Sequence, residues 1–86
     1  MDFIVTERFK KSYKQLSPDE QKTLHKKLAV MSKNHHHPSL RTKKVQGTDH
    51  IFECSITMAM RMTWQYDGEA IVLRIVGDHD AVLKNP

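Results

Sequence analysis

The sequence has little of what holds together or anchors many small proteins: it contains one cysteine, three glycines, three prolines and 7% aromatic residues. Because Cys54 has no partner, the chain cannot form an internal disulfide, and a buried thiol in a reducing compartment is expected. No apolar run approaches the roughly 20 residues that a membrane-spanning helix needs. The first residues also lack the basic and then apolar pattern of a signal peptide. We therefore expect a soluble, cytoplasmic protein.

The charge is divided unevenly along the chain. Residues 1–48 hold eleven Lys and Arg against four Asp and Glu, a net +7, whereas residues 49–86 hold three against six, a net −3. A basic half of this kind suits a polyanion such as RNA, or an acidic protein partner. A solvated helical surface explains it equally well. At 86 residues the chain is expected to form a single domain, residues 1–86, with a modest core.

The first half predicts a strand and two helices. The apolar run Phe3–Val5 is a candidate strand, and Thr6 is a candidate N-cap for a helix from about Glu7 to Leu16. A second helix, capped by Ser17 and with Pro18 at its first position, is predicted to continue to about Lys33, and Glu20 supplies the glutamate of a capping box. The short linker implies an antiparallel helical hairpin. Residues 35–50 show no period and are predicted as a loop.

The second half predicts strands. Ile51–Thr57 alternates, with Cys54 on the apolar face, and Met60–Tyr66 alternates again. Ile71–Val76 is apolar and β-branched, as in a buried central strand, and Asp67-Gly68 suits a two-residue hairpin turn. The order β-α-α-β-β-β predicts an α+β fold in which a helical hairpin packs on a small antiparallel sheet.

Two side chains stand out as candidates for chemistry. Arg61 lies on the polar face of its strand, where it is either a cross-strand ion-pair partner of Glu53 or a clamp for a phosphate group. His79 follows Gly77 between two aspartates, where it is either a turn residue or a general acid. With the turn at Asp67-Gly68, position 61 pairs near position 74. The chain must then bend back after Gly77 if His79 and Arg61 are to contact one phosphate.

The remaining histidines are weaker candidates. His50 precedes a strand and is a second candidate for proton transfer or substrate contact. The consecutive residues His35, His36 and His37 point in different directions in a loop and lack Cys or carboxylate partners at zinc-like spacing. We therefore expect a solvated helix exit there, with no metal site.

Taken in order, these segments resemble the RelE/ParE superfamily of bacterial type II toxins over nearly the whole chain. The shared pattern is a helical pair followed by His37-Pro38-Ser39-Leu40-Arg41 and a basic stretch. A strand with a central arginine, Met60–Tyr66, comes next. The chain then ends on Val76-Gly77-Asp78-His79-Asp80.

The resemblance implies a RelE-like, microbial-RNase-like fold. For the RelE and YafQ-like branches it also implies ribosome-dependent cleavage of mRNA without metal or other cofactor, in which the 2′-hydroxyl attacks its own phosphate. By position, Arg61 matches the phosphate-stabilising arginine and His79 the terminal catalytic histidine. The residues implied in RNA contact are Arg41, Lys43, Lys44 and Lys84. An acidic antitoxin is the implied partner, and the chain is expected as a monomer or in a toxin–antitoxin hetero-oligomer.

The sequence also departs from the family pattern. Lysines of some branches are replaced by Phe52 and Cys54, and a tyrosine common near the C-terminus is replaced by Leu83. The general base is therefore unassigned. Two alternatives stay open, a ParE-like inhibitor of DNA gyrase and a catalytically degenerate module that only binds an antitoxin.

Overall fold

A five-stranded sheet carries two helices on one face and a third, short helix on the other. This computed structural model describes residues 2–86. The elements, in chain order, are β1 (Phe3–Val5), α1 (Glu7–Lys14), α2 (Pro18–Lys33), a 3₁₀ turn (Pro38–Leu40), β2 (Lys43–Lys44), β3 (Phe52–Ser55), β4 (Met60–Asp67), β5 (Ala70–Asp78) and α3 (His79–Lys84). The predicted α+β architecture is confirmed, and α3 is an addition to it.

Both long helices begin where the sequence predicts. The hydroxyl of Thr6 accepts a hydrogen bond from the backbone N–H of Phe9 at 3.0 Å. Ser17 and Glu20 form the reciprocal capping box. Helix α1 ends two residues earlier than predicted because Gln15 and Leu16 bond to carbonyls three residues back, a tighter turn that leads into Ser17-Pro18.

The segment predicted as a loop, residues 35–50, is partly ordered. Leu40 is fully buried and anchors the 3₁₀ turn to the core. Beyond it, Lys43–Lys44 pairs with β3, and the backbone N–H of Val45 donates to Ile51 O at 2.8 Å. A strand of two residues is too short to show an alternation of apolar and polar side chains, so only its hydrogen-bonded pairing with β3 identifies it.

The sheet order is β1-β5-β4-β3-β2. Strand β1 runs parallel to β5, so the sheet is mixed, which corrects the prediction of a purely antiparallel one. The helical hairpin α1–α2 leaves from the β1 edge and covers the face that holds the apolar residues of β3 and β4. Twelve side chains form the buried core on that face: Phe9, Leu24, Met31, Leu40, Cys54, Ile56, Met60, Met62, Trp64, Ile71, Leu73 and Val76.

The β4–β5 register differs from the predicted one. Asp67 pairs with Ala70, so the turn residues are Gly68 and Glu69, and Gly68 takes a positive φ of 61°. A β-bulge between Thr63 and Trp64 then shifts the pairing by one more residue. Together the two changes place Arg61 opposite Gly77.

The single thiol is buried as predicted. Cys54 is 0% exposed, and burial is the main cause that raises its pKa to about 12. Within residues 2–86, no helix is both long and apolar enough to cross a membrane.

Candidate functional site

A polar cleft lies on the face of the sheet opposite α1 and α2. It consists of two cavities, of about 720 and 120 Å³, that share Lys43 and Glu53 in their walls. Helix α3 forms one side of the larger cavity through His79 and Leu83. We use the name polar cleft for the surface formed by Arg41, Lys43, Lys44, Glu53, Arg61 and His79.

The hairpin register brings Arg61 and His79 to the same end of the sheet. Arg61 pairs with Gly77 and Met60 with Asp78, so His79 is the next residue along the chain. The backbone N–H of His79 donates to Ala59 O at 2.8 Å, which ties the start of α3 to the β3–β4 turn. Strand β5 continues through Gly77 to Asp78, so the chain turns at the helix start and not at Gly77. The predicted bend at Gly77 is therefore absent. The register places both residues at one end of the sheet, where Arg61 lines the smaller cavity and His79 the larger one.

Arg61 is held by the β3–β4 turn. Its Nη1 donates to the carbonyl oxygens of Thr57, Met58 and Met60 at 2.8, 2.9 and 3.0 Å. Its Nε lies 3.9 Å from Oε1 of Glu53, which is the predicted cross-strand ion pair. These contacts fix the guanidinium with one edge against the turn. Among residues 2–86, its Nη2 has no hydrogen-bond partner.

Glu53 is the buried carboxylate of the cleft. Its side chain is only 6% exposed, against 18% for Arg61, and it lines both cavities. Lys43 is its direct partner on β2, so the two side chains share one face of the sheet. The carboxylate of Glu53 therefore lies between Arg61 and Lys43, where the two cavities adjoin.

His79 lies at the N-terminus of α3. Asp78 caps this helix, accepting from the backbone N–H of Asp80 at 3.2 Å. The imidazole Nδ1 lies 3.1 Å from Oδ1 of Asp80, which orients the ring. When Nδ1 carries the proton of this hydrogen bond, Nε2 is the nitrogen left to exchange a proton with a ligand in the cleft.

The basic segment borders the cleft from the β2 side. Arg41 and Lys43 line the smaller cavity, and Lys43 and Lys44 line the larger one. Arg41 has a left-handed backbone with φ 50°, and its N–H donates to Pro38 O at 3.1 Å. A non-glycine residue in the left-handed region is uncommon and costs conformational energy. Contacts from the surrounding fold must therefore hold the backbone of Arg41 in this conformation.

Two predicted site residues lie outside the cleft. His50 is exposed in the β2–β3 loop and lines neither cavity. The β3 residue opposite Arg61 is Ser55, which is five positions farther along the chain than His50, up to roughly 16 Å at full extension. Lys84 is exposed at the end of α3 and also lines neither cavity.

Of the three consecutive histidines, His35 packs against the sheet, whereas His36 and His37 are exposed. The ring of His35 packs edge-on against the ring of Tyr66, with 5.7 Å between their centroids. The centroids of the His35 and His36 rings lie 4.0 Å apart. Partial burial, followed by the neighbouring His36, lowers the pKa of His35. In the part of the chain that the structure describes, no group of three or more His, Cys, Asp or Glu residues is arranged to hold a metal ion.

The sequence interpretation missed the environment of Glu53, which it treated only as an ion-pair partner of Arg61. The reason is α3, which closes the polar face of the sheet and was not predicted. Its signal was present in the sequence, since the N-cap Asp78 is followed by the apolar pair Val82 and Leu83. Val82 is 1% exposed, and its Cγ2 would lie 3.7 Å from a Cβ at Gly77, so the helix packs closely on β5.

Comparison with solved structures identifies the fold. A crystal structure of YafQ from E. coli strain BL21(DE3) matches with a TM-score of 0.78 at 10% identity, over 94% of this chain and 96% of that one. The RelB-RelE antitoxin–toxin complex from Methanococcus jannaschii matches with 0.76 at 14% identity, over 96% and 98%. A YoeB dimer from Staphylococcus aureus matches with 0.71 at 15% identity, over 92% and 97%.

The chain therefore has the RelE-like toxin fold over nearly its whole length, and the resemblance drawn from its motifs is confirmed at the level of the fold. No protein-family model matches the chain, and no curated protein gives a significant sequence match. Sequence identities of 10–15% to these structures support a shared fold, but they do not show a shared activity. A shared fold does not determine activity, which depends on the residues of the cleft.

Proposed function

We propose that this chain is the toxin of a type II toxin–antitoxin system and that it cleaves mRNA on the ribosome without a metal ion. The observation that supports this most is the placement of Glu53, Arg61 and His79 around two adjoining cavities bordered by Arg41 and the lysines of β2. A carboxylate as general base, an imidazole as general acid and a fixed cation can together catalyse phosphodiester transesterification.

In the proposed reaction, Glu53 takes the proton of a ribose 2′-hydroxyl. The 2′-oxygen then attacks the adjacent phosphorus, forming the O2′–P bond. His79 donates a proton to the 5′-oxygen as the P–O5′ bond breaks. The products are a 2′,3′-cyclic phosphate and a free 5′-hydroxyl. Glu53 thereby fills the role of general base that the family motifs leave unassigned.

Arg61 and Lys43 are proposed to balance the negative charge that develops on the phosphorane. A preorganised donor matters most where it needs no rearrangement during the reaction. Three backbone carbonyls already fix the guanidinium of Arg61. Arg41 and Lys44 are proposed to contact the RNA backbone away from the scissile phosphate. Lys84, which lines neither cavity, is proposed to add only a weak contact at the periphery.

The cognate partner is proposed to be an acidic antitoxin. One supporting observation is the excess of basic residues in positions 1–48. The other is the similarity of the fold to the toxin of the RelB-RelE complex. A partner bound to this chain would have to occlude the cleft or hold the chain away from the ribosome.

The proposal is tested by inducing the wild-type chain and its variants in bacteria, then mapping transcript ends and following growth. His79→Ala and Glu53→Gln are each expected to lower cleavage by about 10²–10⁴-fold, the usual range for loss of a proton-transfer group. Matched controls are His36→Ala and Glu69→Gln, which change exposed residues outside the cleft. In a purified system, cleavage is expected with ribosomes and not with free mRNA.

The same cultures distinguish the alternatives. Growth arrest with intact transcripts and inhibited DNA supercoiling would contradict the nuclease proposal and favour a gyrase inhibitor. Absence of growth arrest would favour a module that only binds an antitoxin. Toxicity that survives both His79→Ala and Glu53→Gln would contradict the assignment of the cleft.

A further inference from the structure

The two residues after α3 lie across the polar face of the sheet, where three side chains hold them. Oγ1 of Thr63 donates to the backbone oxygen of Pro86 at 2.9 Å, and Nε of Arg74 donates to the same oxygen at 3.1 Å. Nη2 of Arg8 donates to the backbone oxygen of Asn85. We use the name tail clamp for these three donors together with the two residues that they hold.

Thr63 connects the tail clamp to the neighbourhood of the polar cleft. It is 0% exposed and pairs directly with Glu53, so the two side chains share the polar face. A buried hydroxyl needs a hydrogen-bond partner, and the backbone oxygen of Pro86 is that partner. Neither Thr63 nor Arg74 lines a cavity of the polar cleft. The clamp therefore lies beside the proposed catalytic groups without being one of them.

Arg74 is aimed at the tail by the β-bulge. Trp64 pairs with Leu73 and Thr63 with Ile75, so Arg74 is the extra residue on β5. A bulge commonly redirects a side chain in this way. A second bond, from Nη1 of Arg74 to Oε1 of Gln65, fixes the guanidinium on the sheet. The donor to the tail is thus held in place from below.

Helix α3 depends on what holds its two ends. It has six residues, and a helix of this length is not stable by itself. At its start, the backbone N–H of His79 donates to Ala59 O at 2.8 Å. In its middle, Val82 is 1% exposed and packs closely on β5. The tail clamp is the attachment that follows its last turn.

The imidazole of His79 is fixed to α3 and not to the sheet. Among residues 2–86, the hydrogen-bond partner of its ring is Asp80, which belongs to the same helix and has a side chain that is 95% exposed. A shift of α3 therefore moves the imidazole relative to Arg61 and Glu53. A general acid has to lie within about 3 Å of the oxygen that it protonates, so a small shift is enough to slow the reaction.

We propose that Arg8, Thr63 and Arg74 are positioning residues for His79, acting through the tail and α3. The tail clamp sets the distance between α3 and the sheet at which Nε2 of His79 reaches the leaving 5′-oxygen. This deepens the proposed function, on which it rests for the role of His79 as the general acid.

Direct contact of the two arginines with RNA is the competing explanation. Arg8 and Arg74 line a separate cavity of about 600 Å³ beside the tail. Three of their nitrogen atoms already donate to oxygen atoms of the protein. An arginine that contacts RNA changes the affinity and its salt dependence, whereas a positioning residue changes the rate of cleavage at unchanged affinity.

The test measures single-turnover cleavage of ribosome-bound mRNA by the full chain and two clamp variants, Thr63→Val and Arg74→Ala. Each variant removes one donor to Pro86 O and is expected to lower the cleavage rate by about tenfold or more. The chain concentration that gives half-maximal rate is expected to stay within about twofold. Thr23→Val is the matched control, since this hydroxyl donates to Asp19 O at 3.0 Å within α2. Its cleavage rate is expected to stay within about twofold of wild type.

Combination with His79→Ala shows whether the tail clamp acts through the imidazole. In that background, Arg74→Ala is expected to lower the remaining cleavage by less than about twofold, because the group that it positions is already absent. Losses that multiply would overturn the proposal. A loss of affinity with an unchanged maximal rate would also overturn it and would assign Arg74 to RNA binding.

Hydrogen exchange tests the tail clamp independently of activity. The amides of Leu83 and Lys84, in the last turn of α3, are expected to exchange about tenfold faster in both clamp variants, relative to the Met62 amide in β4. The control variant is expected to leave this ratio unchanged. Unchanged exchange in both clamp variants would show that the tail does not hold α3, and faster exchange with wild-type cleavage would show that His79 does not depend on it.

Either of those results overturns the proposal and leaves the nuclease assignment standing. A different result marks failure of the proposed function itself. If His79→Ala cleaves at the wild-type rate, the imidazole is not the general acid, whatever the exchange of α3 shows. The two failures are therefore distinguishable on the same set of variants.

Discussion

The polar cleft and an apolar groove lie on opposite faces of one sheet and are built in different ways. The groove, of about 410 Å³, lies where β1 meets the helical hairpin and is lined by Phe3, Val5, Phe9, Tyr13, Leu28 and Leu73. The groove comes mainly from β1, α1 and α2, elements that are adjacent in sequence. The cleft draws one side chain each from segments far apart, with Glu53 from β3, Arg61 from β4 and His79 from α3. Local amphipathic pattern is enough to form the groove, whereas the cleft depends on strand register.

Strand β3 shows the difference within two residues. Glu53 points into the cleft between cations, and Cys54 points into the core on the other face. A shift of one residue in pairing would exchange the two environments. The chemistry of the cleft is therefore only as well defined as the β3–β4–β5 register.

Arg61→Ala is expected to lower both activity and stability, since this side chain belongs both to the proposed chemistry and to the fold of the cleft. Loss of a preorganised cation is expected to lower cleavage by about 10²–10³-fold. Loss of three charge-assisted hydrogen bonds, with Glu53 left buried without its partner, is expected to cost about 1–3 kcal/mol of unfolding free energy.

Urea unfolding and cleavage assays on Arg61→Ala and Arg61→Lys separate the two contributions. The lysine variant keeps the charge and loses the planar fork, so it should recover part of the stability and little of the activity. If Arg61→Ala unfolds as easily as predicted but cleaves at the wild-type rate, the arginine serves only the fold.

The contrast between local sequence pattern and strand register also explains which features the sequence predicts. The caps at Thr6 and Ser17 predict the helix starts correctly because a cap is a local signal between neighbouring residues. The proposed acid and the arginine are identifiable by residue type and motif. Their juxtaposition is not, because it depends on the turn at Gly68-Glu69 and on the bulge beside Trp64.

The burial of Glu53 and the pairing of strand β2 could not be predicted from the sequence. The burial of Glu53 results from β2 and α3 packing around it, and neither element has enough length to give a period. A carboxylate on the polar face of a strand is more often solvated, so sequence pattern alone favours the wrong environment. The ion pair with Arg61 was predictable because it follows from two facing strands.

The second prediction concerns the core side of β3. The pKa of Cys54 is about 12 in the folded chain against an ordinary value of 9.0. Above pH 9 the unfolded thiol loses its proton while the folded one keeps it, so the unfolding free energy should fall as pH rises from about 9 to 12. The slope attributable to this group is at most about 1.4 kcal/mol per pH unit.

Denaturant titrations between pH 8 and 11 on wild type and Cys54→Ala measure that contribution as the difference between the two slopes. A thiol reagent at pH 8 should react only after unfolding, because the folded thiol is both buried and protonated. Rapid reaction of the native chain would mean that β3 opens readily, and the contrast between Glu53 and Cys54 would then be lost.

The third prediction compares two lysines that the family resemblance treats alike. Lys43 borders both cavities, whereas Lys84 is exposed at the end of α3 and lines neither. Lys43→Ala is expected to weaken RNA binding by about tenfold and to reduce the salt slope by about 0.7, the value for one phosphate contact on a single strand. Lys84→Ala should change binding by about twofold or less.

Fluorescence anisotropy with a short RNA at several salt concentrations measures the affinity of both variants. Equal losses of affinity in Lys43→Ala and Lys84→Ala would extend the binding surface beyond the polar cleft.

The smallest effect is expected for His50→Ala. His50 is exposed in the β2–β3 loop and lines neither cavity, and it precedes Ser55, the residue that pairs with Arg61, by up to roughly 16 Å of chain. A group at that distance cannot exchange a proton with the phosphate that Arg61 contacts, because direct transfer needs heavy atoms within about 3 Å. Single-turnover cleavage should therefore stay within about twofold of wild type, against the large loss in His79→Ala. A loss as large as that of His79→Ala would instead mean that residues 46–50 fold over the cleft when RNA binds, so that the loop, and not only the sheet register, assembles the site.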